Sequence, residues 1–418
     1  MNVSTGFLIF RILLPTLILG LQYFLYRRTR RWIKERKPEA RWPLHTATGL
    51  FLAFNIPFII VAITRPRLAD FPEWFIYTGV YPFFLWHGSM FFLGLILLAT
   101  LIIKSPFLIG LWASKKIPAT RSKMEKLQSN VAFQEFNASR RVFLRRGVYG
   151  LTAVSFSGGL YGLVRGRTMY DVTSAEFAIP NLPPQLANFT IGLVSDIHSS
   201  VFMTKESMDE YAAIVNSLNA DMIAVTGDFV NSMTEEVYPF VEAFSTLKAP
   251  YGVYGVMGNH DFFAQDPELV AREIDGAGIK LLRDDKVIIE KDGGQFYLVG
   301  VDDMGRAPKA LERIDSALGY APLGIPRILL CHRPYFLAQA AARKMNLVLS
   351  GHTHGGQIVL GHIGESVIAP ASVASPYIWG KYELNGTHMY VSRGIGTVGI
   401  PVRINCPPEI TKITLVPA

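Results

Sequence analysis

The chain has 418 residues, half of them hydrophobic and 18% charged, with a net charge of +8 and a mean hydropathy of +0.26. That length exceeds one ordinary domain, and that hydropathy excludes a uniformly polar-surfaced chain. The basic residues cluster between apolar runs, which argues for membrane orientation over nucleic-acid binding, and two cysteines, Cys331 and Cys406, exclude a disulfide framework and read as buried thiols.

Three stretches, 7–26, 47–63 and 83–103, are apolar enough to cross a bilayer of about 30 Å, which takes about 20 helical residues. A fourth, 147–164, is weaker and rich in glycine and serine. Between the first two lie Arg27, Arg28, Arg30, Arg31, Lys34, Arg36, Lys37 and Arg41 against only Glu35 and Glu39. Between the second and third, Arg65 and Arg67 are balanced by Asp70 and Glu73; ten basic residues fall between 104 and 146. Positive-inside logic puts the first and third loops in the cytoplasm, and the N-terminus and everything after 164 outside. Polar residues inside these runs (Arg11, Asn55 and His87) receive no role.

Ser139-Arg140-Arg141-Val142-Phe143-Leu144-Arg145, followed by an apolar run, resembles a twin-arginine export signal, which implies the twin-arginine export machinery as a partner. No small-x-small cleavage site follows Gly162, so the segment is expected to stay as an anchor. The expected division is three transmembrane helices in 1–110, a basic cytoplasmic linker in 111–146, a fourth span in 147–166 and a globular domain in 167–418.

In that last part strand-like and helix-like patterns alternate. A strand at 190–194 ends at Ser195-Asp196-Ile197-His198, and a helix over 205–218 puts Met208, Tyr211, Ala212, Val215 and Leu218 on one face. A strand at 221–225 ends at Thr226-Gly227-Asp228, a helix falls within 235–247, and a strand at 252–257 ends at Gly258-Asn259-His260-Asp261. A helix over 267–277 begins with proline, which the first turn tolerates. Strands at 286–290 and 296–301 flank the hairpin signal Lys291-Asp292-Gly293-Gly294. Strands at 327–330 and 347–349 end at Cys331-His332 and at Ser350-Gly351-His352-Thr353-His354-Gly355-Gly356, and 357–360, 388–391 and 410–415 complete a β-rich close. The fold class is mixed α/β (α+β), with two packed sheets covered by helices on both sides.

Residues at the carboxyl ends of successive strands converge on one crevice. Carboxylates, an amide oxygen and imidazoles without a thiolate suit two adjacent divalent ions, and a bridging carboxylate holds such ions about 3.5–4 Å apart.

Asp196-Ile197-His198, Gly227-Asp228, Gly258-Asn259-His260-Asp261, His332 and Gly351-His352-Thr353-His354 together resemble the five ordered motifs of the calcineurin-like metallophosphoesterases, most closely a bacterial, membrane-anchored YkuE-like branch. Further similarity lies in Gly355-Gly356-Gln357, Tyr390-Val391-Ser392-Arg393-Gly394 and Cys406-Pro407-Pro408-Glu409-Ile410, so it runs from about 167 to the end. The resemblance implies a four-layer α/β/β/α sandwich. It implies Asp196, His198 and His354 on a first metal, Asn259, His332 and His352 on a second, and Asp228 bridging. It also implies that His260 protonates the leaving oxygen while Asp261 orients it. Manganese is favoured over iron, zinc and magnesium as the cofactor pair. Ser200 replaces a glycine common in the family, which bears on the substrate loop. Arg393 and Arg306 read as structural more than phosphate-binding.

The expectation is an extracytoplasmic phosphodiesterase or phosphomonoesterase of the bacterial inner membrane. It attacks phosphorus in line with a hydroxide shared by the cations, on substrates that are lipid-linked or derived from the envelope. The alternatives are hydrolysis of a lipid-linked nucleotide pyrophosphate, and a non-catalytic metal-binding sensor.

Overall fold

The computed structural model describes residues 5–64, 66–117, 121–122, 126, 129–303, 305, 310–322, 324–364 and 366–418. The chain divides into two compact units, Met1–Leu160 and Tyr161–Ala418.

The first unit is helical: α1 (Thr5–Arg36), α2 (Trp42–Thr64), α3 (Tyr81–Lys116) and most of α4 (Val131–Thr168). Three helical stretches, Trp42–Thr64, Glu73–Ser114 and Val131–Gly166, are long and apolar enough to cross a membrane. They leave large apolar side chains such as Ile63, Phe107 and Val154 uncovered, as lipid-facing helices do. The expected run 7–26 lies in α1, where the side chains of 5–11 fall outside the described residues. The helix holding the fourth run begins well before 147: α4 starts at Val131, so the twin-arginine-like sequence is helical. No glycine or proline interrupts 131–146, and nothing there competes with helix.

The second unit contains two six-stranded sheets. The first runs β1 (Asp171–Ile179), β14 (Glu409–Pro417), β2 (Phe189–Val194), β3 (Met222–Val225), β4 (Val253–Gly255), β5 (Lys280–Leu281). The second runs β12 (Gly380–Leu384), β13 (Thr387–Val391), β9 (Leu347–Ser350), β8 (Arg327–Cys331), β7 (Gly294–Val301), β6 (Asp285–Lys291). A separate hairpin pairs β10 (Gly361–Ile363) with β11 (Ser366–Ile368). Within the sheets, β2, β3, β4 and β5 are mutually parallel, as are β7, β8, β9 and β13.

These strands are buried on both faces, which is why they read as unbroken apolar runs. Alternate side chains nevertheless go to different cores. Phe296 and Leu298 of β7, Ile328 and Leu330 of β8, and Leu347 and Leu349 of β9 meet Phe189, Ile191 and Leu193 of β2 between the sheets. Val299, Leu329 and Val348 face outward to α8 (Ala310–Leu318) and α9 (Leu337–Ala342). Over the first sheet lie α5 (Lys205–Ser217), α6 (Val237–Phe244) and α7 (Pro267–Gly276), seated through Met208, Tyr211, Val215, Phe240, Phe244, Val270 and Ile274. The result is the four-layer sandwich that the resemblance implies.

The expected strand at 357–360 is not one: it forms only an isolated bridge, Ile358 to Ile404, because Gln357 adopts φ 55° and turns the chain out of any ladder.

Phe189 is fully buried between the sheets, its ring 5.3 Å from those of Tyr251 and Phe296. Phe189→Ala is expected to lower unfolding stability by about 3–5 kcal/mol, read as a lower denaturant midpoint.

Candidate metal centre

Every motif residue lies just past the carboxyl end of a parallel strand: Asp196 and His198 after β2, Asp228 after β3, Asn259 and His260 after β4, His332 after β8, His352 and His354 after β9. Parallel neighbours deliver these ends to one rim. The loops then bend sharply. Asp196, His198, Asp228, His352 and His354 all hold φ between 50° and 73°, a left-handed conformation costly for a histidine and concentrated at functional sites. Glycine cannot substitute there without losing the donor atom.

Three groups of donors converge, each with its ligand atoms within 4.8 Å of one another: Asp196, His198 and His354; Asp228, His332 and His352; and His198, Asp228 and His260. The Nε2 atoms of His198 and His354 stand 3.0 Å apart. Asp228 Oδ2 lies 3.4 Å from His198 Nε2 and 3.1 Å from His332 Nε2, so one carboxylate oxygen faces both sets. His332 Nε2 lies 3.2 Å from His352 Nδ1. Among the described residues the buried Asn259 Oδ1 has no hydrogen-bond partner. An unpaired amide oxygen beside clustered imidazoles and carboxylates fits a pair of hard or borderline divalent cations, the identity of the metal being left open by these donors.

The surrounding atoms fix these donors. Asp196 Oδ2 accepts from Ser195 Oγ at 2.7 Å, and the His352 N–H donates to both oxygens of Asp196 at 2.9 and 3.0 Å. His332 Nδ1 donates to Thr226 O at 2.8 Å, which turns Nε2 toward Asp228, the nitrogen that a bound cation would take as its ligand. Asp228 Oδ1 accepts from the His260 N–H at 2.8 Å. Glycine is required where the loops touch: a Cβ at Gly351 would lie 2.0 Å from Ser195 Oγ and 2.2 Å from Asp196 Oδ2, and one at Gly258 would lie 2.2 Å from Asp228 Oδ1.

Electrostatics separate the donors. Burial drives His198 down to about 3 and pushes His352 and His354 well below the usual imidazole range, which leaves each ring neutral with one nitrogen free to act as a ligand. At His332 burial acts the same way but is outweighed by Asp228 and Asp196, which raise it to about 10. Asp228 is buried too, yet the His332, His198 and His260 imidazoles hold it well below the usual carboxylate range. Burial raises Asp196 to about 6.

Asp261 faces the backbone of the neighbouring loops. Its carboxylate accepts the backbone N–H groups of Asp228, Phe229, Val230 and Gly258 at 2.8–3.1 Å. The turn Asp261–Phe263 aims it back under the loops, so it clamps the β3 and β4 exits together. The His260 ring is oriented by Asn231, whose carbonyl accepts from Nδ1. Glu236 fixes that carbonyl's loop by accepting from the N–H groups of Asn231, Ser232 and Met233 at 2.8–3.0 Å.

Arg393 is paired with Asp171 at 3.0 Å and Glu409 at 3.3 Å, a structural position; Arg306 lies outside the described residues. Arg403 was not singled out from the sequence. Fully buried, it donates to the carbonyls of Arg393, Gly394, Gly396 and Cys406 and brings its guanidinium within 3.5 Å of His354 Nδ1. Its only signal is an arginine set between Val402 and Ile404 in an apolar stretch.

Asp261→Asn puts an amide N–H against backbone donors. It is expected to cost at least about 1–3 kcal/mol of unfolding stability, whereas a residue acting only on His260 would leave the unfolding midpoint unchanged.

Residues 189–356 match the family described as calcineurin-like phosphoesterase. The chain is 31% identical over 266 residues to a zebrafish (Danio rerio) transmembrane protein with metallophosphoesterase domain, covering 61% of this chain and 60% of that one. It is 30% identical over 286 residues to the uncharacterized metallophosphoesterase YkuE of Bacillus subtilis, covering 66% of this chain and 97% of YkuE. It is 29% identical over 292 residues to phosphodiesterase YaeI of Escherichia coli, 66% and 99% of the two chains. The similarity runs through the strand-end loops that carry the clustered donors, and the chain belongs to the calcineurin-like metallophosphoesterases, a family of phosphoester hydrolases.

Proposed function

We propose that this protein is a membrane-anchored binuclear-metal phosphodiesterase, with Asp196, His198 and His354 on one cation, Asn259, His332 and His352 on the other, and Asp228 between them. The observation that carries this reading is Asp228 Oδ2 facing His198 Nε2 at 3.4 Å and His332 Nε2 at 3.1 Å, the placement a bridging ligand needs. When bound, such cations supply an activated water and neutralise charge on the phosphoryl oxygens. The chain supplies the rest. Loops anchored by Asp261 and by the His352 N–H keep the donors in place without reorganisation. His260 donates through Nδ1 to Asn231 O, which frees Nε2 for the site, where the doubly protonated ring would give its Nε2 proton to the leaving oxygen and return to the neutral form. The name of the Escherichia coli relative supports diesters over monoesters. Loop charges support a catalytic unit on the extracytoplasmic side of a bacterial inner membrane, and the twin-arginine-like sequence supports export of a folded, metal-loaded domain. Manganese is the favoured pair, and substrates at the membrane suit an enzyme tethered there.

The test is a hydrolysis screen of the full chain on mono- and diesters, with Mn²⁺ added and with chelator. Diester turnover is expected only with metal, and Asp228→Asn is expected to lower it by at least about 100-fold; metal-independent turnover would overturn the reading. For His260→Ala the expected loss is about 10²–10⁴-fold for diesters with poor alkyl leaving groups and much less for nitrophenyl esters, which leave without a proton. An equal loss for both would remove His260 from that role. In intact spheroplasts, added protease should cleave the catalytic unit; protection until the membrane is opened would reverse the orientation.

A further inference from the structure

The loop that carries His352 and His354 does not return directly to the sheet. After Gln357 the chain runs through Ile358 and Val359 into the β10–β11 hairpin and the turn Pro370–Val373. Along this excursion Leu360 is 66% exposed, Ile363 72% and Val373 94%, with Ile368 also uncovered. Four large apolar side chains on one small projection, in a unit whose other apolar residues are largely packed, mark an interaction surface.

The neighbourhood identifies what it meets. The base of the hairpin is tied to 403–405: Ile358 bridges Ile404, the Val359 N–H donates to Ile404 O at 2.9 Å, and Asn405 Nδ2 donates to Val359 O at 3.2 Å. That same segment rests on the last turns of α4. The Arg403 N–H donates to Gly162 O at 3.2 Å, and a Cβ at Gly162 or Gly166 would lie 2.8 or 2.0 Å from Arg403 O. Those glycines let the helix backbone lie directly against the 403–405 segment. They also fall at the end of an apolar stretch, Val131–Gly166, long enough to cross a membrane. Only Met169 and Tyr170 separate α4 from β1, and Tyr161, Val164, Met169 and Tyr170 are exposed around that exit, a composition suited to the headgroup boundary.

We propose that the β10–β11 hairpin and the following turn insert their apolar side chains into the bilayer beside α4, making a lipid-facing rim from which phosphoesters of membrane lipids enter the metal centre. Helix exit, hairpin base and the His352–His354 loop are contiguous in the fold, so a continuous run of contacts links the helix exit to the site. The substrate part of the proposal rests on the phosphodiesterase reading above; the membrane contact does not.

Two measurements on the full chain separate these parts. The chain is placed in nanodiscs of phosphatidylethanolamine and phosphatidylglycerol, with an environment-sensitive fluorophore on Ile363→Cys or Val373→Cys. A control label goes on Asp292→Cys, in the exposed turn at the opposite edge of the second sheet; Cys331 and Cys406 are buried and take no label. Blue-shifted emission, quenched by spin-labelled lipid at 363 and 373 but not at 292, is the expected result. Equal, water-like emission at all three positions overturns the proposal. Blue-shifted emission without lipid quenching also overturns it, since it would mean that protein or a second copy covers the hairpin. Ile363→Asp with Val373→Asp is then expected to lower turnover of a vesicle-borne phosphodiester by about tenfold or more, the factor set by losing one buried apolar side chain, with bis(p-nitrophenyl) phosphate unaffected. Lipid quenching with no selective loss would keep the contact and overturn the lipid substrate; loss of both activities with chelator-insensitive residual turnover would count against the phosphodiesterase reading itself.

Discussion

The site depends on how one carboxylate, Asp228, is held. Its Oδ1 is fixed by the His260 N–H, its backbone is fixed by Asp261, and its Oδ2 is left facing His198 and His332. A buried carboxylate so placed is costly unless positive charge meets it. In the protein alone that charge comes from imidazole, which is why Asp228 and His332 shift in opposite directions. The arrangement is therefore a site built to receive cations, and the strained loops around it are the structural cost of holding seven side chains at one point. Two clamps carry that strain: Asp261 beneath the β3 and β4 exits, and the carbonyl cage around Arg403 behind His354.

Much of this was legible in the sequence because parallel strands buried on both faces announce themselves as short apolar runs, and their ends carry the polar residues. The ladder β7–β8–β9, the hairpin between β6 and β7 and the placement of His332, His352 and His354 follow from that pattern. What escaped was tertiary. β1 alternates polar and apolar residues along a half-exposed strand and finds its partner 238 positions away, Asp171 opposite Glu409. Neither local periodicity nor turn chemistry reports such a pairing. Asp261 shows the same limit: the resemblance implies a partner of His260, and only the fold reveals that the tight turn sends its carboxylate to the backbone N–H groups of the β3 and β4 exits. Arg403 looks like any arginine until its five carbonyl and imidazole neighbours arrive from loops 393–396, 354 and 406.

The helical unit and the catalytic unit obey different solvents. Three helical stretches present apolar side chains outward along their length, and the chain's similarity to a zebrafish transmembrane protein with a metallophosphoesterase domain extends this combination to a relative. In the catalytic unit most apolar residues are packed into cores, and the hairpin that follows the metal-centre loop is one place where several large apolar side chains stay uncovered. Charge distribution completes the division, with basic residues concentrated between the apolar runs and ion pairs such as Arg333–Asp303 and Arg283–Asp302 tying the catalytic unit's loops.

The central claim is that the separated donors close around a pair of cations shared by Asp228. Elemental analysis of purified, active full-length protein, beside Asp228→Asn, tests it most directly. Two divalent ions per chain are expected, with the variant losing metal and turnover together. Active protein containing one ion or none, or an Asp228→Asn variant that keeps both ions and full turnover, would contradict it.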